Sequence, residues 1–183
     1  MKFAQLFILI LAFFVIRPAQ AGLLIEPVLG VGFSKFESKY ANKEYKANGL
    51  NYGGRLGYQN LGFQFGLDYL TGNDYVDSSD IKGSYSHTDW AAFAGFEFPA
   101  LIRIYAGYIF SAQGETKTNL GSKVNFNDGS GMKVGLGFTG LPFVDLNIEY
   151  RKGTYDETKL GGVKVGKTDF SAIMVGLSVP FVI

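Results

Sequence analysis

Residues 171–183 read SAIMVGLSVPFVI. The stretch carries no charge, and every second residue is apolar: Ile173, Val175, Leu177, Val179, Phe181 and Ile183. The residues between them, Ala172, Met174, Gly176, Ser178, Pro180 and Val182, are mixed in size and polarity. A period of two is that of a strand, whose side chains alternate between two faces. Such a strand needs a backbone partner on each edge and a surface other than water against its apolar face.

The same alternation recurs upstream. Ile25, Pro27, Leu29, Val31 and Phe33 share a face opposite Glu26, Gly30, Gly32 and Ser34, with Val28 breaking the pattern. Leu50, Tyr52, Leu56 and Tyr58 oppose Asn51, Gly53, Arg55 and Gly57; Phe63, Phe65, Leu67 and Tyr69 oppose Gln64, Gly66 and Asp68. Trp90, Ala92, Ala94, Phe96 and Phe98 oppose Gly95 and Glu97. Ile102, Ile104, Ala106, Tyr108 and Phe110 oppose Arg103, Tyr105 and Gly107. Met132, Val134, Leu136 and Phe138 oppose Lys133, Gly135 and Gly137. Val144, Leu146, Ile148 and Tyr150 oppose Asp145, Asn147, Glu149 and Arg151. With 171–183 this makes eight strands and an all-β chain.

Composition agrees. The 183 residues are one domain's length, and 25 glycines, 17 phenylalanines and 11 tyrosines suit strands and interfaces. There is no cysteine, which excludes disulfides and thiolate metal sites. A formal charge of +1 gives no electrostatic case for nucleic acid. Lys2, the apolar run Phe7 to Ile16 and the small-x-small triplet Ala19-Gln20-Ala21 read as a secretory signal peptide cut after Ala21. The barrel domain is then 22–183.

The connections alternate in length. Short turns are expected near Gln59-Asn60, Pro99-Ala100 and Gly140-Leu141-Pro142, and long polar loops over 37–49, 72–88, 112–130 and 152–168. Short turns on one side and long loops on the other mark an outer-membrane barrel. The apolar face is aromatic near both strand ends, with Tyr52, Tyr69, Trp90, Phe110 and Tyr150 above and Tyr58, Phe63, Phe98 and Phe181 below. Two such girdles suit the two interfaces of a bilayer. In lipid every backbone polar group must be paired, so the sheet must close. The 171–183 strand must therefore zip against 23–33, and its apolar face must meet lipid.

The strand number, loop rhythm and closing segment resemble the small eight-stranded outer-membrane β-barrel family, which includes the barrel domain of outer membrane protein A. The resemblance implies an antiparallel up-and-down transmembrane barrel in the bacterial outer membrane, with periplasmic termini and a monomeric state. It implies contact with outer-membrane lipid and lipopolysaccharide, and with the barrel-assembly machinery during insertion. The family's terminal strand ends in an aromatic residue; here Ile183 is last and Phe181 lies two places earlier on the same face.

The candidate site is the interior. Glu26, Arg55, Asp68, Glu97, Arg103, Lys133, Asp145, Glu149 and Arg151 would face a lumen that eight strands leave about filled by side chains. Charges there must pair, which implies a polar plug and a structural or surface-interaction role. The alternatives are a narrow channel or a hydrophobic-solute path of the outer membrane protein W type. A third reading, a lipid-modifying enzyme, would need His87 beside a serine such as Ser84, Ser86, Ser78 or Ser79, with Asp89 or Asp80; the residues match no such motif, and no enzyme is expected. GLGFTG (135–140) matches G-x-G-x-x-G but lies in a strand, where a nucleotide fingerprint has no helix to open. Asp74, Asp77 and Asp80 lack the spacing of a calcium loop and read as a solvated acidic loop. No cofactor or metal is expected.

Overall fold

The alternating segments form one continuous ladder. A computed structural model describes residues 21–38, 43–77, 82–118 and 123–183. The expected signal peptide lies outside the described residues, Ala21 apart. The strands are β1 (Gly22–Ser38), β2 (Lys43–Asn60), β3 (Phe63–Asp77), β4 (Lys82–Phe98), β5 (Ile102–Thr118), β6 (Lys123–Phe138), β7 (Asp145–Leu160), β8 (Val163–Ser178) and β9 (Phe181–Val182). Each pairs antiparallel with the next up to β8, and β1 pairs with both β2 and β8, so the sheet closes. This is the eight-stranded up-and-down barrel expected from the alternation, with β9 a continuation of the eighth strand.

The closing strand is split because Pro180 has no N–H to give the ladder. Pairing with β1 stops at Ser178 and resumes at Phe181, opposite Ile25. Across the gap the Val179 amide donates to the Pro27 carbonyl at 3.1 Å, and Leu23 and Ile183 exchange bonds of 2.8 and 3.0 Å. Segment 171–183 thus lies between β1 and β7, as closure requires.

The end that carries both termini has short connections. Leu61 and Gly62 both have positive φ, 50° and 85°, the signature of a two-residue type I′ hairpin. Residues 99–101 and 139–144 make the other two turns there.

The opposite end corrects the expectation. Most of 37–49, 72–88, 112–130 and 152–168 is strand, not loop. Connection β7–β8 is only Gly161-Gly162, again with two positive φ values. Strands β1 to β8 run 15 to 18 residues, beyond the roughly 9–11 that cross a bilayer. Alternation was hard to follow there because the apolar residues change face. Below, apolar residues point out. Above, Phe36, Ala47, Val76, Tyr85, Phe126, Tyr155 and Phe170 point in and are buried together.

Candidate functional site: the barrel interior

In the lower half the interior is ionic. Arg55 (β2) reaches Asp68 at 3.0 Å, Glu149 at 3.2 Å and Glu26 at 3.4 Å, which ties four strands together. Arg103 (β5) binds Glu26 through two nitrogens at 2.6 and 3.0 Å, reaches Asn147 at 2.8 Å, and lies 3.6 Å from Asp145. Lys133 (β6) contacts Asp68 and lies 3.2 Å from Glu149. Arg151 (β7) holds Glu149 at 2.5 Å and Asp89 at 2.8 Å. Ser178, in the closing strand, donates to Glu26 at 2.5 Å and accepts from Asn147. Four cations therefore meet five carboxylates: Glu26, Asp68, Asp89, Asp145 and Glu149. Glu26, Arg103, Asp145 and Glu149 are fully shielded from solvent.

Eight of the nine residues expected in the lumen network lie in this cluster. Glu97 does not. It is half-buried at the lower mouth, where Gln64 Nε2 lies 3.5 Å away. Arg103 sits opposite it in the ladder but turns inward to Glu26. The fifth carboxylate is Asp89, which is absent from the lumen set expected from the sequence. Asp89, Ala91, Phe93, Gly95 and Glu97 share one parity on β4. Extending that phase upward reaches Asp89, His87 and Tyr85.

Packing this set needs glycine. The Arg55 guanidinium lies over the Tyr105 ring, 4.1 Å from its centroid. A Cβ on Gly135 would come within 2.2 Å of that ring, so only glycine fits there. Gly137 similarly faces Arg103 and Asn147. The G-x-G of residues 135–137 is thus accounted for by close packing in the lumen.

Above the ions the lumen becomes aromatic. Phe36 and Tyr85 meet edge-on at 4.6 Å, while the Phe126–Tyr155 and Tyr155–Phe170 pairs are tilted, at 5.3 and 4.9 Å. The Tyr85 and Tyr155 hydroxyls are hydrogen-bonded at 2.8 Å across the interior. Between the two layers lies a cavity of about 20 Å³, lined by Ser34, Asn51, His87, Asp89, Arg151 and the two tyrosines among others. That is space for a water or two.

His87 belongs to this boundary. Its Nε2 is 2.9 Å from Asn51 Oδ1, and its Nδ1 is 3.6 Å from Asp89 Oδ2. These partners differ from the serine a nucleophilic triad requires. Asp74 also points inward, buried, with Ser34 and Asn51 near it at 3.4 and 3.5 Å. It is therefore no part of a solvated acidic loop, which corrects that expectation. Ser78, Ser79 and Asp80 lie outside the described residues. Among the described residues no group of three or more histidines and carboxylates could hold a metal ion.

The outer wall completes the picture. Leu29, Phe65, Tyr108, Val134, Ile148 and Val175, with their neighbours in phase, are all exposed. A closed barrel with ions inside and apolar side chains outside is the fold of the small eight-stranded outer-membrane β-barrels. The solved structures similar to this chain include Neisserial surface protein A, at TM-score 0.60 and 20% identity, covering 88% of this chain and 99% of that one. Another is Ail, the attachment invasion locus protein of Yersinia pestis, solved with the heparin analogue sucrose octasulfate. It matches at TM-score 0.60 and 16% identity, over 87% of this chain and 99% of the other. OprG from Pseudomonas aeruginosa matches at 0.55 and 11%, over 92% and 100%. At these identities the likeness is one of fold. No protein-family model and no curated protein sequence matches the chain.

Proposed function

We propose that the protein is an integral, monomeric barrel of the bacterial outer membrane, with periplasmic termini, that serves as a lipid-embedded scaffold for a surface-exposed rim. The observation that carries this reading is the two-layer filling of the lumen. Between an ionic layer and an aromatic layer lies a cavity of about 20 Å³. Such a filling favours a closed lumen and moves function to the outer rim. That rim is built of strands braced by an apolar core of their own, which makes it a firm platform for contacts with other surfaces.

A narrow conduction path is the second reading. A polar chain favours it: Arg151, Asp89, His87, Asn51 and Asp74 follow one another from the ions toward the upper end. Asp89 Oδ1 is buried and makes no hydrogen bond, leaving an acceptor at the cavity. Single-channel recording of the refolded protein in a planar bilayer separates the two, with Arg103→Ala as comparison. A silent bilayer with insertion verified by protease protection supports the scaffold. Steady discrete conductance that changes in Arg103→Ala overturns it in favour of the channel.

A further inference from the structure

The buried charges do not balance. Among the described residues the five carboxylates of the ionic layer and Asp74 make six buried anions, against the four cations of that layer. His87, the single histidine of the chain, stands in the line of contacts that joins Asp89 to Asp74.

Its ring is held in one row of the sheet. Asn51, Gly72 and His87 are ladder partners on β2, β3 and β4. Gly72 leaves the space in which the other two meet: a Cβ there would come within 2.6 Å of His87 Nε2 and 2.7 Å of Asn51 Oδ1. The Tyr85 ring stacks beside the imidazole, with centroids 5.4 Å apart and planes 14° from parallel.

The hydrogen bonds around this row fix its hydrogens. Asn51 Nδ2 lies 3.2 Å from the Gly49 carbonyl and 3.5 Å from Asp74 Oδ1. Both are acceptors, so the amide nitrogen belongs there and the amide oxygen faces His87. Nε2, 2.9 Å from that oxygen, therefore carries a hydrogen. Nδ1 stands 3.6 Å from Asp89 Oδ2. A lone pair on Nδ1 would oppose the carboxylate, whereas a second hydrogen makes an ion pair. The imidazolium, with a hydrogen on each nitrogen, suits both contacts and supplies a fifth buried cation.

We propose that His87 is a pH-operated latch: as an imidazolium it ties Asp89, in the ionic layer, to Asn51 and through it to Asp74, and on losing its Nδ1 proton it lets go of Asp89. The other titratable groups around the cavity here are Arg151 and Tyr155 from β7 and Tyr85 from β4. Glu149 and Asp89 already hold Arg151, and the two tyrosines hold each other. Ser34 of β1 donates to Asp74, and β8 lines the cavity with Phe170, Ala172 and Met174. The latch is closed in acid and lost as pH rises through the imidazole range, so the barrel is firmer in acid than in mild alkali.

The test uses the refolded protein without an affinity tag, carrying nitrogen-15 histidine, so that His87 gives the single imidazole signal. At about pH 5.5 both ring nitrogens should resonate as those of an imidazolium, and at about pH 8 one should have moved to the unprotonated position. Over the same interval the folding equilibrium constant, from urea unfolding in lipid vesicles, should fall about tenfold. In His87→Gln, whose amide can still donate to Asn51, it should change by less than about twofold. An unprotonated ring nitrogen at the lower pH overturns the proposal. So does a folding constant that stays flat in the unmodified protein, whatever the charge on the ring. A folded His87→Gln barrel that keeps the full pH dependence also overturns it and assigns the proton to Asp74, a buried carboxylate whose proton would be lost in the same direction. The first two measurements need no variant, so a His87→Gln chain that fails to fold leaves them decisive.

Discussion

The two halves of the barrel are built on opposite plans. Below, Leu136 and Ile148 face outward while Arg103 and Glu149 are buried within. Above, Lys117 and Lys123 face outward while Phe126 and Tyr155 are buried within. One sheet and one hydrogen-bond pattern run through both. The external solvent differs, and each interior is filled by what the exterior rejects. In the lower half lipid takes the apolar side chains, so the lumen receives the charges and must neutralise them internally. In the upper half water takes the charges, and the lumen becomes an ordinary apolar core.

The comparison breaks most visibly at the ionic layer. Glu149 serves Arg55, Lys133 and Arg151 at once. Glu149→Leu removes that shared acceptor and leaves buried cations undercompensated. The expected loss is about 3–5 kcal/mol. Urea unfolding in lipid vesicles, followed by the fluorescence of Trp90, the one tryptophan, measures it. A loss below roughly 1 kcal/mol, the value of a solvated pair, would mean that water fills the lower lumen.

The outer belt gives the next largest effect. Leu136 is half exposed on the outward face of β6. An arginine there should cost about 2–4 kcal/mol at the bilayer midplane. No loss in the same unfolding experiment would mean that the inner and outer faces are exchanged.

The aromatic layer should respond less to loss of a single polar atom. Tyr155→Phe keeps the ring against Phe126 and Phe170 and removes only the hydroxyl bonded to Tyr85. The cost should be about 0.5–1.5 kcal/mol, with conductance unchanged. A variant that became conductive would show that the hydroxyl pair, not the packed rings, closes the lumen.

The same contrast explains what could be read from the sequence. The lower half was legible because lipid forces strict alternation, and a charged residue such as Arg55 or Asp68 amid apolar neighbours marks the inward face. Closure through 171–183 followed from the need to satisfy every backbone group in lipid. The upper half was obscured by its exchange of faces. Tyr85, Phe126 and Tyr155 look like isolated aromatics among serines, glycines and asparagines when an outward apolar stripe is sought. For that reason His87 reads as a loop residue and Asp89 escapes the lumen set, although parity along β4 connects them to Glu97. The Gly161-Gly162 pair was a readable signal for a tight hairpin. Side-chain choice inside the lumen was not readable: Arg103 passes over its ladder partner Glu97 for Glu26, which depends on the shape of the filled interior.

The smallest expected effect fixes where the two plans meet. Tyr75 is exposed on the outward face of β3, three outward positions above Tyr69. By exposure alone it resembles Leu136, and an aromatic residue at that position could pass for part of a girdle. Its ladder partner Ser84 and the outward residues below it, Asn73 and Thr71, are polar, which places it in water. Tyr75→Arg should therefore change stability by no more than about 0.5 kcal/mol, as at an ordinary wetted surface. Parallel unfolding of Tyr75→Arg and Leu136→Arg in the same vesicles compares identical side chains on one wall. Equal costs would extend the lipid up to Tyr75, and the buried aromatics of the upper half would then need a cause other than water outside.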